Sequence, residues 1–405
     1  MNIGKPCSNK YLKKSILHSF VEQHKNLAPQ GSIGWHFIRS YTIGGSEIAT
    51  VIGENPYSKP ENLVAQKVGL SEFKGNIACR WGKLFENITS KITQKLLGID
   101  YIYNLSSLEG EIDNQRYSPD GLALYEHVNH LNEKSYSIIL FEFKSPYSTI
   151  PNGFIPKHYL PQVKTGLCSI PIVDYAIFIN NMFRKCSFND LNTTLNYDKV
   201  FHNKDKCDID VVLSLGLCMF YQTAEQKTEF LKKYTYISND EHSASEDEFY
   251  KMSDNIHEYG LIDIIHNYIN GESTNIDFGN CRFYDFDKLL LLYDEDLISI
   301  EICDTYISPH YVNEFNKKKY DENVNEFIDN YKHKIATNHN IGFMPWKLFK
   351  SDFIKQNREP KYLKSYEYLI SDIINIINDI NKSQNSIEKL KRFKSYFPKS
   401  RIKKI

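Results

Sequence analysis

Residues 137–144 read SIILFEFK, a nearly continuous apolar run that ends at Ser145-Pro146. A strand of this composition belongs in the centre of a sheet, covered on both faces. It nonetheless carries a carboxylate and an ammonium, Glu142 and Lys144, two positions apart. Strand geometry sends these two side chains from one face while Phe141 and Phe143 leave the other. Burying an unpaired charge costs several kcal/mol, so the pair must be locally satisfied, sit at a frayed strand end, or perform chemistry. Taken alone, the pair favours the first two readings.

Asp120 shifts the balance. It stands in Ser118-Pro119-Asp120-Gly121, where proline and glycine bracket it as turn residues do, between two short strands expected within 109–125. An aspartate at a strand mouth, joined to Glu142 by strand and loop, gives a hard divalent cation oxygen ligands from adjacent strands, with water completing the shell. Mg²⁺ held there would polarise a phosphodiester and lower the pKa of a bound water, and Lys144 would hold or help deprotonate that water. Phe143 could add its backbone carbonyl as a ligand. Glu86 and Gln162 are ambiguous on pattern alone: each is either a solvated helix residue or part of the carboxylate cluster.

The flanking sequence predicts an α/β core over residues 31–188. Ser46 reads as the N-cap of a short helix ended by Gly53, and Ser58-Lys59-Pro60-Glu61 as a capping box with proline at the first helical position. From Arg80 to Leu97, Trp81, Leu84, Phe85, Ile88, Ile92 and Leu96 recur at helical spacing until Gly98. Tyr175–Met182 predicts a second buried strand. A helix over Pro156–Cys168 between the two strands gives the crossover that parallel pairing needs.

Residues 1–30 form an N-terminal segment. Residues 189–350 read as insertions and additional strands packed on the core, with polar stretches at 189–209 and 236–256 and strand-like runs (LLLLY, LISIEI) within 281–303. Residues 351–405 read as a helical region, with a helix over Tyr362–Ile380. From Lys389 to Ile405 there are eight basic residues and no acidic one. That tail either follows a nucleic-acid backbone or is a solvated terminus.

Net charge does not choose a partner. Forty-nine basic side chains face fifty acidic ones, and an acidic pocket would cancel a basic groove in the sum. The eight cysteines include no CxxC pair, which argues for reduced, mostly buried thiols and against an iron–sulfur cluster. His127-x-x-His130 lacks further nearby ligands for zinc. With no apolar run approaching a membrane span and no signal-type h-region, a soluble intracellular protein is expected.

The ordered set Arg80-x-Gly82-x-x-x-Glu86, Ser118-Pro119-Asp120-Gly121, Phe141-Glu142-Phe143-Lys144 and His158-Tyr159-Leu160-Pro161-Gln162-Val163 resembles the lambda-exonuclease-like, YqaJ-type viral recombinase family of PD-(D/E)XK nucleases. Trp35-x-x-x-Arg39 and the run from Gly44 to Ala49 are similar to that family's N-terminal segment, so the resemblance covers about residues 33–185. Gly342–Lys350 (GFMPWKLFK) resembles a segment of exonucleases from large DNA viruses.

The resemblance implies a restriction-endonuclease-like core, a mixed central sheet flanked by helices, carrying an α/β to helical C-terminal extension. It implies 5′-to-3′ digestion of double-stranded DNA ends in viral recombination, replication or repair, with two Mg²⁺ ions for which Mn²⁺ could substitute. It further implies a single-strand-annealing protein as partner, a homo-oligomer, and action in the host cytoplasm or nucleus. Asp120 and Glu142 become metal ligands, Lys144 the catalytic lysine, and Glu86 and Gln162 complete the site. Arg39 and Ser46 match a 5′-phosphate anchor, in keeping with a guanidinium and a hydroxyl at a helix N-terminus.

Two features depart from the pattern. About 200 C-terminal residues exceed the minimal family domain, and Pro161 directly before Gln162 is unusual inside a helix. The alternatives are an endonuclease of the same fold, which would cut closed circles, and a catalytically silent DNA-end-binding module. The silent module would have no reason to retain a costly Asp120–Glu142–Lys144 cluster.

Overall fold

A computed structural model describes residues 7–72, 76–185, 214–235, 292–293, 295–307, 322–323, 325–327, 329–330 and 342–400. Helix α1 (Lys10–His24) starts at Asn9, whose side chain accepts from the Leu12 amide, and α2 (Ile33–Tyr41) is capped in the same way by Ser32. The chain then forms β1 (Ile43–Gly44), a single 3-10 turn (Gly45–Glu47), α3 (Ile48–Val51), α4 (Pro60–Lys67) and α5 (Ile77–Leu96). Gly53 and Gly98 adopt left-handed backbone, φ 75° and 60°, at the stops their positions predict.

Two expected caps differ. Ser46 lies within the 3-10 turn rather than capping a helix; the residue before α3 is Glu47, whose carboxylate reaches back to the Gly44 amide at 2.7 Å. The glutamate side chain thereby satisfies the amide that precedes the turn. Ser58 forms no capping box. Helix α4 starts from Lys59 without a side-chain cap, and Pro60 at its first position supplies no N–H to satisfy.

There follow β2 (Leu108–Glu109), β3 (Gln115–Tyr117), β4 (Gly121–Val128), β5 (Lys134–Lys144), α6 (Leu160–Ser169) and β6 (Tyr175–Lys185). The described remainder holds β7 (Ser214–Tyr221), α7 (Ala224–Thr235), β8 (Ser299–Ile307), β9 (Gly342–Asn357), α8 (Glu367–Asn381) and α9 (Ser386–Tyr396). Strands β1, β3 and β2 make a small sheet, and the main sheet runs β4-β5-β6-β9-β7-β8. Only β5 and β6 pair in parallel within it, bridged in sequence by α6, as the strand–helix–strand pattern predicts.

The two faces of this mixed sheet are covered differently. On one, Leu140 and Phe178 pack with Val163 and Leu167 of α6, Leu17 of α1 and Tyr117 of β3. On the other, the stripe Trp81, Phe85, Ile88 and Ile92 of α5 packs on Phe183, Phe220, Met344, Trp346 and Leu348. Phe85 stacks on Phe183 with ring centroids 4.4 Å apart and meets Trp346 edge-on at 5.3 Å. The apolar face of α5 therefore finds much of its partner surface on β7 and β9, strands supplied by the second half of the chain. Ile370, Ile373, Ile374, Ile377 and Ile380 of α8 bury themselves against the region of α3 and α4, where Ile48, Val51, Leu63 and Val64 lie.

Polar contacts pin these layers. Thr89 of α5 shares a hydrogen bond with Ser145 (3.1 Å) and accepts from Asn181 of β6 (3.3 Å), while Asn181 accepts from Ser351 of β9. Arg358, just beyond β9, donates to the carbonyls of Leu167, Ile170 and Val173, neutralising the C-terminal end of α6. Lys13 of α1 donates to both oxygens of Asp174 at 2.7 Å, and Asp174 also accepts from the Ile138 amide. Both partners of that ion pair are buried.

Several expectations fall partly or wholly outside the described residues: the polar stretches 189–209 and 236–256, most of LLLLY, and 401–405. Residues 292–293, at the end of LLLLY, are helical, while LISIEI runs into β8. The predicted helix at Tyr362–Ile380 opens with a 3-10 turn before α8. Much of the basic tail is folded: Lys389 donates to the Val68 carbonyl, Arg392 pairs with Asp379 and Glu388, and Lys394 bonds the Ser400 carbonyl. Among the described free cysteines only Cys218 is buried, so the thiols there are more open than expected.

Two substitutions test this scaffold. Lys13→Ala leaves Asp174 as an uncompensated buried charge and should lower unfolding free energy by about 3–5 kcal/mol; a loss under about 1 kcal/mol in denaturant titration would contradict the pinning of α1. Thr89→Val keeps the shape of the side chain but strands Ser145 and Asn181. A loss of about 1–3 kcal/mol is expected, and an unchanged thermal midpoint would show that the network contributes nothing.

Candidate active site

The antiparallel register of β4 and β5 sets Gly121 opposite Phe141, which brings Asp120 to the mouth of the hairpin beside Glu142 and Phe143. Glycine is required at 121 because a Cβ there would meet the Ile102 side chain at 2.4 Å. Asp120 Oδ2 accepts from the Phe143 amide at 2.8 Å and lies 3.8 Å from Lys144 Nζ. The paired strands thus hold the turn aspartate and the strand lysine against one another.

Glu142 has no solvent exposure. Its Oε1 accepts from Lys144 Nζ at 2.5 Å and from Gln162 Nε2, and its Oε2 accepts from the Tyr117 hydroxyl at 2.7 Å. Gln162 reaches it because α6 begins only at Leu160, later than Pro156, which puts Pro161 in the first helical turn. A proline there breaks no intrahelical bond, so it orients Gln162 rather than distorting the helix around it.

Glu86 sits on α5 one turn after Gly82, whose Cα approaches the Ser145 carbonyl closely enough that a Cβ would lie 3.8 Å away. Residues four apart share a helix face, so Glu86 is carried toward the end of β5. Its side chain is exposed to solvent. Even so, desolvation by the surrounding protein and the charge of Glu142 raise its carboxyl above the usual range, against the opposing pull of Lys144.

The electrostatics show a shortage of positive charge. Asp120 is raised well above the ordinary carboxylate range by burial, with the charges of Glu142 and Glu86 adding to it and Lys144 and the Phe143 amide opposing. Burial disfavours the Lys144 ammonium, but Glu142 and Asp120 outweigh it and lift its pKa above the ordinary lysine value. Tyr117 is likewise pushed well up, by burial first and then by Glu142 and Asp120, so it is a neutral donor.

A divalent cation is the group whose fit must be asked of these residues. Among the described residues, no three His, Cys, Asp or Glu side chains form a ready-made cage. Mg²⁺ does not need one, since it commonly takes one or two carboxylates and keeps several waters. Asp120 bonds the Phe143 amide through Oδ2, which leaves Oδ1 for a ligand, and Glu142 Oε2 keeps a lone pair beyond the Tyr117 bond. The oxygen donors and the uncompensated negative charge fit one hard cation.

The expected phosphate anchor lies on the far side of Tyr117. Arg39 pairs with Glu47 at 2.7 Å, places its guanidinium 5.2 Å from the Trp35 ring, and lies over Gly44, where any Cβ would collide with it. Lys67 also pairs with Glu47, at 2.9 Å. Ser46 is exposed on the adjoining turn. The Tyr117 ring packs on Gly45 and its hydroxyl bonds Glu142, so one side chain spans the distance between the two groups.

Reading the sequence missed three side chains at this centre. Tyr117 ends β3 three residues before Asp120. Tyr159 places its ring 5.3 Å from Lys144 Nζ, and His158 packs between Tyr159 and the exposed Tyr57. His158 and Tyr159 lay inside a quoted motif, but periodicity assigns an aromatic to the core by default. His127 shares hydrogen bonds with Ser137 and Tyr175.

Residues 34–169 match the model of the YqaJ-like viral recombinase domain. A protein of African swine fever virus strain Badajoz 1971 Vero-adapted is 28% identical over 198 residues, covering 44% of this chain and 56% of the relative. The same protein from isolate Tick/South Africa/Pretoriuskop Pr4/1996 is 29% identical over 204 residues, covering 45% and 59%. The chain thus spans somewhat over half the length of these curated relatives. An alkaline exonuclease (LHK-Exo) from Laribacter hongkongensis aligns in structure over 37% of this chain and 74% of that one, with 19% identity and a TM-score of 0.29. The stretch 34–169, which contains Glu86, Asp120, Glu142, Lys144 and Gln162, is therefore the part of this chain that is similar to the YqaJ-like viral recombinase domain.

Proposed function

We propose that this protein is a Mg²⁺-dependent deoxyribonuclease that hydrolyses double-stranded DNA from its ends in the 5′-to-3′ direction, serving viral DNA recombination, replication or repair. The observation that carries the reading is the convergence of Lys144, Gln162 and Tyr117 on the buried Glu142 carboxylate, with Asp120 3.8 Å from the same Lys144. The YqaJ-like domain supports its place in viral recombination.

Asp120 and Glu142 would hold the ion, with the Phe143 carbonyl as a further donor, and Glu86 is the carboxylate nearest to serving a second. When bound, Mg²⁺ supplies Lewis-acid polarisation of the phosphodiester and neutralises charge that builds on it. The protein's own groups do the rest. Lys144, a compact point charge held by two carboxylates, orients the attacking water and steadies the developing oxyanion. Gln162 fixes Glu142 from the helix side. Arg39 and Ser46 would receive a 5′-phosphate, Arg39 exchanging part of its pairing with Glu47 for the phosphate oxygens. Mn²⁺ should substitute, since it accepts the same oxygen donors.

A single-strand-annealing protein and further copies of this chain are the partners this reading implies, with action in the cytoplasm or nucleus of an infected cell. Among the described residues no helix is long and apolar enough to cross a membrane.

The test is release of labelled nucleotides from linear duplex DNA carrying the label at either end, with Mg²⁺ or with EDTA. Release should begin at 5′ ends, require the metal, and fall by roughly 100- to 1000-fold in Lys144→Ala. Cutting of covalently closed circles with linear ends spared would establish an endonuclease instead. Binding of DNA ends with no cleavage of either substrate would leave only a binding module.

A further inference from the structure

Tyr117 occupies a place that the nuclease reading does not explain. It is almost fully buried, at 1% exposure, between two glycines that leave it room. A Cβ on Gly45 would stand 2.4 Å from its ring, and one on Gly166 of α6 would stand 2.4 Å from Cζ and 2.6 Å from the hydroxyl. Side chains at either position would displace the ring, so the backbone is shaped around this tyrosine on both sides. Its hydroxyl does not spend its hydrogen bond on a backbone carbonyl, as a core tyrosine ordinarily would; it donates to Glu142 Oε2 at 2.7 Å.

Glu142 Oε1 already accepts two hydrogen bonds, from Lys144 and Gln162, which occupy both of its lone pairs. Without Tyr117 the carboxylate would be fixed through one oxygen only and could pivot about it. With Tyr117 both oxygens are held, and the second lone pair of Oε2 is the one left for a ligand. A carboxylate that binds a cation gains affinity and a defined geometry when its other bonds are fixed in this way. Phenylalanine would fill the same space equally well, so packing alone does not call for the hydroxyl.

We infer that Tyr117 is a positioning residue for Glu142, holding the carboxylate in the one orientation that offers Oε2 to a divalent cation. It touches neither substrate nor ion. The inference rests on the metal-dependent reading above and adds to it a required donor outside the Asp120, Glu142 and Lys144 set.

Tyr117→Phe in the full chain removes one oxygen and keeps the ring between the glycines. Mn²⁺ affinity of the DNA-free protein, by calorimetric titration, should weaken by about 10- to 100-fold. Turnover on linear duplex should drop with it at fixed subsaturating metal, the KM for DNA ends should stay within about twofold, and the variant should remain folded without metal, its thermal midpoint lowered only by the loss of one hydrogen bond. Para-aminophenylalanine at position 117 restores an N–H donor at similar reach and should recover most of the affinity. Unchanged Mn²⁺ affinity in Tyr117→Phe would overturn the inference, as would a variant unfolded without metal or failure of the para-amino side chain to restore binding. If wild-type protein binds no Mn²⁺ at all, the metal-dependent reading itself fails, which is a separate result.

Discussion

The structure turns on the burial of one carboxylate. Glu142 is removed from solvent in the middle of an apolar strand, and desolvating an ion there is unfavourable by several kcal/mol unless it is fully hydrogen-bonded. Its donors come from three different elements: Lys144 from β5 itself, Gln162 from the first turn of α6, and Tyr117 from the end of β3. Together these satisfy the buried charge. Holding α6 over β5 therefore demands the close packing at Gly166, and holding β3 against α6 demands the bare turn at Gly45. The Arg358 cap on the far end of α6 and the Lys13–Asp174 pair under α1 brace the same layer from outside.

The opposite layer answers a different need. Helix α5 must present Glu86 near the end of β5 while burying a wide aromatic and aliphatic stripe. Trp81, Phe85 and Ile88 pack in one cluster with Phe183 of β6, Phe220 of β7 and Trp346 of β9. The strands β7 and β9 are thus part of the platform on which the centre stands, although they come from residues far beyond the matched domain. Hydrogen bonds from Thr89 through Asn181 to Ser351 tie helix, core strand and added strand together.

Much of this was legible in the sequence because the signals were local. The apolar run with two charges at strand spacing gave β5 and the shared face of Glu142 and Lys144. The three-to-four spacing ending at Gly98 gave α5, and the proline–glycine bracket placed Asp120 at a turn. What escaped depended on contacts between distant residues. Ser46 satisfied every local rule for a cap, but the chain makes a 3-10 turn over Gly45–Glu47 that takes the serine in, with Glu47 bonding the Gly44 amide. Tyr117 lay in plain view three residues before Asp120, yet nothing local distinguishes a core tyrosine from one whose hydroxyl meets a carboxylate 25 residues away. Strand β9, which pairs with both β6 and β7, contains a proline and mixed charges that mask its periodicity, so the segment GFMPWKLFK suggested a relationship rather than a central strand.

If the Glu142 carboxylate is a metal-holding, phosphodiester-cleaving group and not merely a buried charge that the fold has accommodated, hydrolysis must depend on its charge. Glu142→Gln tests this most directly, since the side chain keeps its size while losing its charge and one acceptor oxygen. Binding of linear duplex DNA and hydrolysis at saturating Mg²⁺ should be measured on the same preparation, with the folded state checked by circular dichroism. DNA affinity should stay within a few fold of wild type while hydrolysis falls by about 100-fold or more. Hydrolysis at the wild-type rate by folded Glu142→Gln would contradict a metal-holding role for this carboxylate.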